Sequence, residues 1–198
     1  MRRPTGPKLL LWAILAVPAM VILVDYWRSP NAWPGDMLPA TGEWSARLII
    51  LALSLTPLIR LFPASAAVRW LVAHRRAFGV AAFAYSLLHL AFYVADMETV
   101  ANMVAEIGAP AIWTGWLALL FLVPPAAASS DAAMRALGRS WKRVQRLAYP
   151  AAVLTLVHWV LVHDGQTAAL LHFAPLVLLQ VLRLARSFRF SPQERTIA

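Results

Sequence analysis

The chain contains no cysteine. That excludes disulfides, iron–sulfur clusters and thiolate-bound metals, and leaves any metal chemistry to histidine, methionine and carboxylates. Charge is also scarce, at 14% of residues against 61% hydrophobic, and the acids number nine against eighteen lysines and arginines. No glycine-rich nucleotide loop is present, so a fused Rossmann domain is excluded as the carrier of flavin or nicotinamide chemistry. What remains is apolar: the mean hydropathy is +0.64, far above what one soluble core of 198 residues needs. Several apolar runs of roughly 17 to 22 residues can each cross a ~30 Å hydrocarbon layer as helix. The expected fold is all-α, a polytopic membrane protein built as a six-transmembrane-helix bundle.

The spacing predicts spans at about 8–27, 44–61, 77–95, 110–125, 147–163 and 167–184. The net charge of +9 suggests nucleic acid at first sight, but the basic residues sit in separate short loops instead of lining one polar surface. With a cytoplasmic N-terminus, the inner segments hold Arg2, Arg3 and Lys8; Arg60, Arg69, Arg75 and Arg76; Arg135, Arg139, Lys142, Arg143 and Arg146; and Arg183, Arg186, Arg189 and Arg195. Only Arg28 and Arg47 fall on or near the outer face, so the positive-inside rule gives an N-in, C-in orientation. The first apolar run is too long for a signal-peptide core and reads as an uncleaved helix. Asp25, Asp36, Glu43, Asp96, Glu98, Glu106 and Asp164 gather outside, as plain loop solvation or as a docking surface. Trp27, Trp33, Trp44, Trp113 and Trp116 near the outer boundary fit an interfacial belt, with Trp113 and Trp116 also available to a partner. Pro18, Pro57 and Pro175 fall inside spans, where each frees carbonyls that neighbours or water must satisfy. The stretch SPNAWPGDMLPATGEW reads as an ordered outer loop.

Of the five histidines, two lie deep. His89 follows Arg76 by 13 residues and His158 follows Arg146 by 12, so both stand about 18 to 20 Å above the inner boundary on helices of the same direction. A lone histidine in such a helix reads as a bundle residue with a hydrogen bond; ionisable groups at that depth are nevertheless functional candidates. Two at one depth read as the axial pair of a b-type haem. Gly79, Ala81, Ala82, Ala84, Ala151 and Ala152 leave room either for a flat ring or for close helix contact. His74 reads as a loop histidine, and His163 and His172 as interfacial residues or contacts for a haem propionate or a partner.

The stretches ATGEWSARLIILALSLTPLIR, HRRAFGVAAFAYSLLHLAFYV and LGRSWKRVQRLAYPAAVLTLVHWVLV, in that order, resemble the MsrQ (formerly YedZ) family. These are haem-binding membrane subunits of the periplasmic methionine sulfoxide reductase system, within the ferric-reductase-like transmembrane superfamily. The resemblance covers about 40–189 and implies that residues 1–198 form a single domain of that type in the bacterial inner membrane. It implies six helices, haem b and FMN, with electrons delivered to a periplasmic molybdopterin-containing reductase that repairs oxidised proteins. By position, His89 and His158 match the family's outer haem ligands. Gln145 stands where the family pattern has a histidine, between Trp141 and Tyr149, and an amide is a poor iron ligand. One haem is therefore expected, and a second, vestigial inner site would have to rest on His74 and Gln145. The donor is expected to be the quinol pool or a cytoplasmic flavin reductase. The basic inner loops suit an FMN phosphate or anionic membrane lipid, with no FMN residue assigned. Two rivals stay open at this level: a self-standing ferric or quinone reductase, and a haem-free transporter or scaffold.

Overall fold

The computed structural model describes residues 6–162 and 166–189. Among them there is no strand, and six helical stretches are long and apolar enough to cross a membrane. The long helices are α1 (Gly6–Arg28), α2 (Leu38–Leu61), α4 (Arg75–Met97), α6 (Pro110–Ala127), α9 (Ala148–Val162) and α10 (Gln166–Arg189). Short helices fill the connections: α3 (Ala66–Ala73), α5 (Val100–Glu106), α7 (Asp131–Leu137) and α8 (Trp141–Gln145). Ser65, Thr99 and Ser130 cap α3, α5 and α7 by accepting from the backbone N–H three residues on. The connections thus run basic at one end of the bundle and acidic at the other.

The second span begins earlier than the sequence suggested. The expected loop over residues 29–44 is helical from Pro34, first as a 3₁₀ turn (Pro34–Met37) and then as α2. Pro39 is tolerated because it lies in the first helical turn, where an unbonded N–H is normal. Asp36 accepts from the Trp33 backbone N–H and closes the turn before it. One consequence concerns Arg47, placed near the outer face above. It lies nine residues into α2, about 14 Å along the helix. There it pairs with Glu43, one turn earlier, and donates from Nε to His172 Nε2 at 3.3 Å.

Four helices form the centre. α2 packs along α4, α6 packs along α9, and the two pairs join through α2 against α9 and α4 against α6. α4 and α9 therefore stand on the diagonal. α10 lies against α2 and α9, and α1 against α2 and α4. Ala81, Ala82, Ala151 and Ala152 are buried in the core with Leu48, Leu55 and Phe78, so these small side chains serve close helix contact. A methyl group added at Gly79 would meet nothing within 4 Å, and Ala84 is exposed.

Helix bonds opened around two of the prolines are closed from neighbouring helices. The Tyr85 hydroxyl on α4 enters α1 beside Pro18, accepting from Ala19 N and donating to Leu15 O, both at 2.9 Å. Pro57 cannot donate to Leu53 O, and the Gln180 amide of α10 does so at 3.3 Å. Each bond ties a peripheral helix to the central four.

Candidate functional site

His89 on α4 and His158 on α9 face each other across the diagonal, with ring centroids 6.1 Å apart and ring planes at 86°. The helices that flank them set their orientation. His89 Nδ1 lies 3.0 Å from Leu38 O and 3.2 Å from Thr41 Oγ1, both at the start of α2. His158 Nδ1 lies 2.6 Å from Ala111 O, at the start of α6. A carbonyl only accepts, so both Nδ1 atoms carry a proton. That is the tautomer of a metal-ligating histidine oriented by a backbone carbonyl.

Two glycines make space for the rings. A Cβ at Gly42 would stand 3.2 Å from His89 Cε1, and one at Gly115 would stand 2.8 Å from His158 Cε1. A methyl group at Gly115 would force the His158 ring to shift, and one at Gly42 would crowd the His89 ring. Sequence reasoning missed both positions. The signal was present: the dipeptide Thr-Gly, at 41–42 and again at 114–115, opens both the second and the fourth spans.

Two clefts meet at the histidine pair. One is about 690 Å³, counting its mouth, and runs into the bundle between Ser45, Ser86, Leu119, Leu122 and Thr155. The other, about 790 Å³ on the same measure, opens toward the acidic end past Glu43, Asp96 and Glu106. The hydroxyls of the inner cleft are already bonded: Ser86 and Thr155 donate to Ala82 O and Ala151 O at 3.0 and 2.9 Å. The surface they offer is therefore effectively apolar. By contrast, the Tyr93 hydroxyl, one turn beyond His89, is buried with no hydrogen-bond partner among the described residues.

These features fit a haem. With metal–imidazole bonds of about 2 Å and centroids roughly 1 Å behind the bonding nitrogen, two axial imidazoles stand about 6 Å apart. The observed separation matches, the walls are apolar, and Tyr93 offers a donor at the polar edge. The room comes from Gly42, Ser45, Ser86, Gly115, Ala118 and Thr155, not from the glycine and alanines singled out in the sequence.

The remaining candidates lie elsewhere. His74 ends α3 and begins α4, with Nδ1 2.8 Å from Trp70 O and its ring 4.3 Å from the Trp70 ring. Gln145 donates from Nε2 to Pro125 O at 3.0 Å, beside Trp141 Nε1, which donates to Ala128 O at 3.0 Å. His172 donates from Nδ1 to Ala168 O at 2.8 Å, accepts from Arg47, and lies 5.1 Å from the Trp159 ring. It lines neither cleft. His163 falls outside the described residues. No group of three or more histidines and carboxylates among the described residues makes a bare-metal site.

Comparison with known proteins places the chain. The family described as ferric reductase like transmembrane component matches residues 41–156. A protein from Xanthomonas euvesicatoria pv. vesicatoria (strain 85-10) named protein-methionine-sulfoxide reductase heme-binding subunit MsrQ is 31% identical over 179 residues, 82% of this chain and 79% of that protein. Proteins of the same name from Xanthomonas axonopodis pv. citri (strain 306) and Azospira oryzae are 35% and 32% identical, over 60% and 69% of their lengths and 66% and 80% of this one. No solved structure matches closely enough for comparison. With a helical bundle of six candidate spans, a facing histidine pair and relatives of this kind, the chain belongs to the MsrQ family of ferric-reductase-like transmembrane proteins.

Proposed function

We propose that this multi-pass membrane protein is the haem b-bearing electron-transfer subunit of a protein-methionine-sulfoxide reductase, with His89 and His158 as the axial pair. The observation that carries the reading is the pair itself: two imidazoles on diagonal helices, each with Nδ1–H held by a carbonyl of the facing helix, 6.1 Å apart. Haem b, when bound, supplies a one-electron Fe(III)/Fe(II) couple. His89 and His158 would hold the haem from its two sides, which would suit outer-sphere transfer and offer oxygen no coordination site. The apolar walls exclude water, and Tyr93 is the donor that would meet a haem carboxylate.

The reading extends to topology and partners. The chain acts as one transmembrane domain of the bacterial inner membrane, N-in and C-in, with the histidine pair nearer the periplasmic face. The acidic end then faces a periplasmic, molybdopterin-containing catalytic subunit, and the basic end faces the donor, either quinol or a cytoplasmic flavin reductase. FMN is carried over from the family resemblance alone. The decisive measurement is the dithionite-reduced minus oxidised spectrum of full-length protein purified with ample haem supply. Sharp b-type bands are expected, and their absence removes the central claim.

A further inference from the structure

The two histidine seats are copies of one another, and the copying extends to both helices of each pair. At the start of α2, buried Thr41 Oγ1 lies 2.8 Å from Met37 O and 3.1 Å from Leu38 O. At the start of α6, buried Thr114 Oγ1 lies 2.7 Å from Pro110 O and 2.9 Å from Ala111 O. In each case the glycine follows the threonine, and the carbonyl four residues before the glycine receives the imidazole N–H. The histidine helices repeat as well: a hydroxyl three residues before the histidine, Ser86 or Thr155, bonds the carbonyl of an alanine one turn back. Threonines bonded back onto their own helix often bend that turn, and in both places the carbonyl one turn before the glycine meets the facing ring.

We propose that Thr41-Gly42 and Thr114-Gly115 are a duplicated positioning device, by which the first turn of one helix fixes the tautomer and plane of the imidazole on the next and so holds the two axial planes crossed. The proposal rests on the haem reading above, but its first consequence belongs to the protein without haem. Each seat orients only its own ring, so the 86° crossing is the sum of two local settings and not an accommodation to the ligand. Axial orientation and carbonyl bonding are levers on haem electronics. Crossed imidazole planes give a ferric low-spin signal with a large maximum g value, whereas parallel planes give a rhombic one.

The test uses full-length protein in lipid nanodiscs, first haem-free and then haem-loaded. In the haem-free protein, imidazole ¹⁵N spectra are expected to show His89 and His158 protonated at Nδ1, and Thr114→Val is expected to release His158 from that state. The Nε2-protonated form in the wild type overturns the proposal whether or not the protein binds haem. In the loaded protein, Gly115→Ala is expected to weaken haem retention about tenfold or more, Gly42→Ala less, in keeping with the longer clearance there, and Gly79→Ala not at all. Thr114→Val is expected to keep haem while moving the signal toward rhombic and shifting the midpoint potential, with Thr114→Ser restoring both. Unchanged g values and potential in Thr41→Val and Thr114→Val sink the proposal. Wild-type protein that shows the Nδ1 tautomer but takes up no haem sinks the functional reading and leaves the positioning device standing.

Discussion

An imidazole buried in a membrane bundle has to satisfy Nδ1 and Nε2 separately, and a carbonyl at Nδ1 leaves the other nitrogen as a base. Both His89 and His158 give Nδ1–H to a carbonyl, and the proposed haem would need both rings. His89→Ala and His158→Ala are therefore expected to abolish stable haem binding while the protein still inserts. Retained helical circular dichroism with lost b-type absorption is the expected pair of results, and full haem content in either variant counts against the assignment. Gln145 makes a contrary prediction. Its amide is committed to Pro125 O, and an amide ligates iron poorly, so haem titration is expected to saturate near one equivalent. Saturation near two equivalents removes the view that the Gln145 position has lost its ligand. At this scale the sequence singled out the two histidines through their depth. It hid Gly42 and Gly115 because a glycine's role as clearance depends on which side chain stands opposite.

Among the elements, the prolines show how a membrane bundle handles broken helix bonds. Without water in the hydrocarbon layer, opened backbone groups must be met by a neighbour: Gln180 answers Leu53 O, freed by Pro57, and Tyr85 bridges Ala19 N–H and Leu15 O next to Pro18. Tyr85→Phe removes one acceptor and one donor beside Pro18 in α1. It is expected to cost about 1–3 kcal/mol of stability, read as a lower unfolding midpoint in lipid nanodiscs, with haem content per folded protein unchanged. An unchanged midpoint would mean that α1 closes its own bonds once the phenol is gone. The sequence located the prolines and predicted that their carbonyls need partners, but it could not name partners 66 to 127 residues away. It also read LPATGEW as loop because proline and glycine usually end helices. Here the proline starts one, and the glycine makes room for a ring on another. The short helices α3, α5, α7 and α8 span five to eight residues, too few for a hydrophobic period to stand out.

Over the whole molecule, charge sorts by end, and this sorting is the basis of the N-in, C-in proposal. A phosphatase reporter fused after Arg189 is expected to be inactive, and one inserted at 98–109 active. The reverse pattern would move the histidine pair to the cytoplasmic side and reverse the proposed direction of electron flow. Arg47 does not disturb the sorting, because inside α2 it is paired with Glu43 and bonded to His172 and so acts as a packed residue, not as a loop charge.

The amino-acid sequence by itself determined the class of the protein, the number of spans, the depth of the two histidines and the family. Each of these follows from local apolar length, from charge between runs, or from motifs read in order. Only the tertiary structure decided that α4 and α9 lie on a diagonal, that the rings meet at 6.1 Å, and that the turns presenting Leu38 and Ala111 hold them there. The physical reason is that helix periodicity fixes which face of a segment is apolar but not which distant face it will meet. That choice is made by packing among residues some 50 positions apart in the chain.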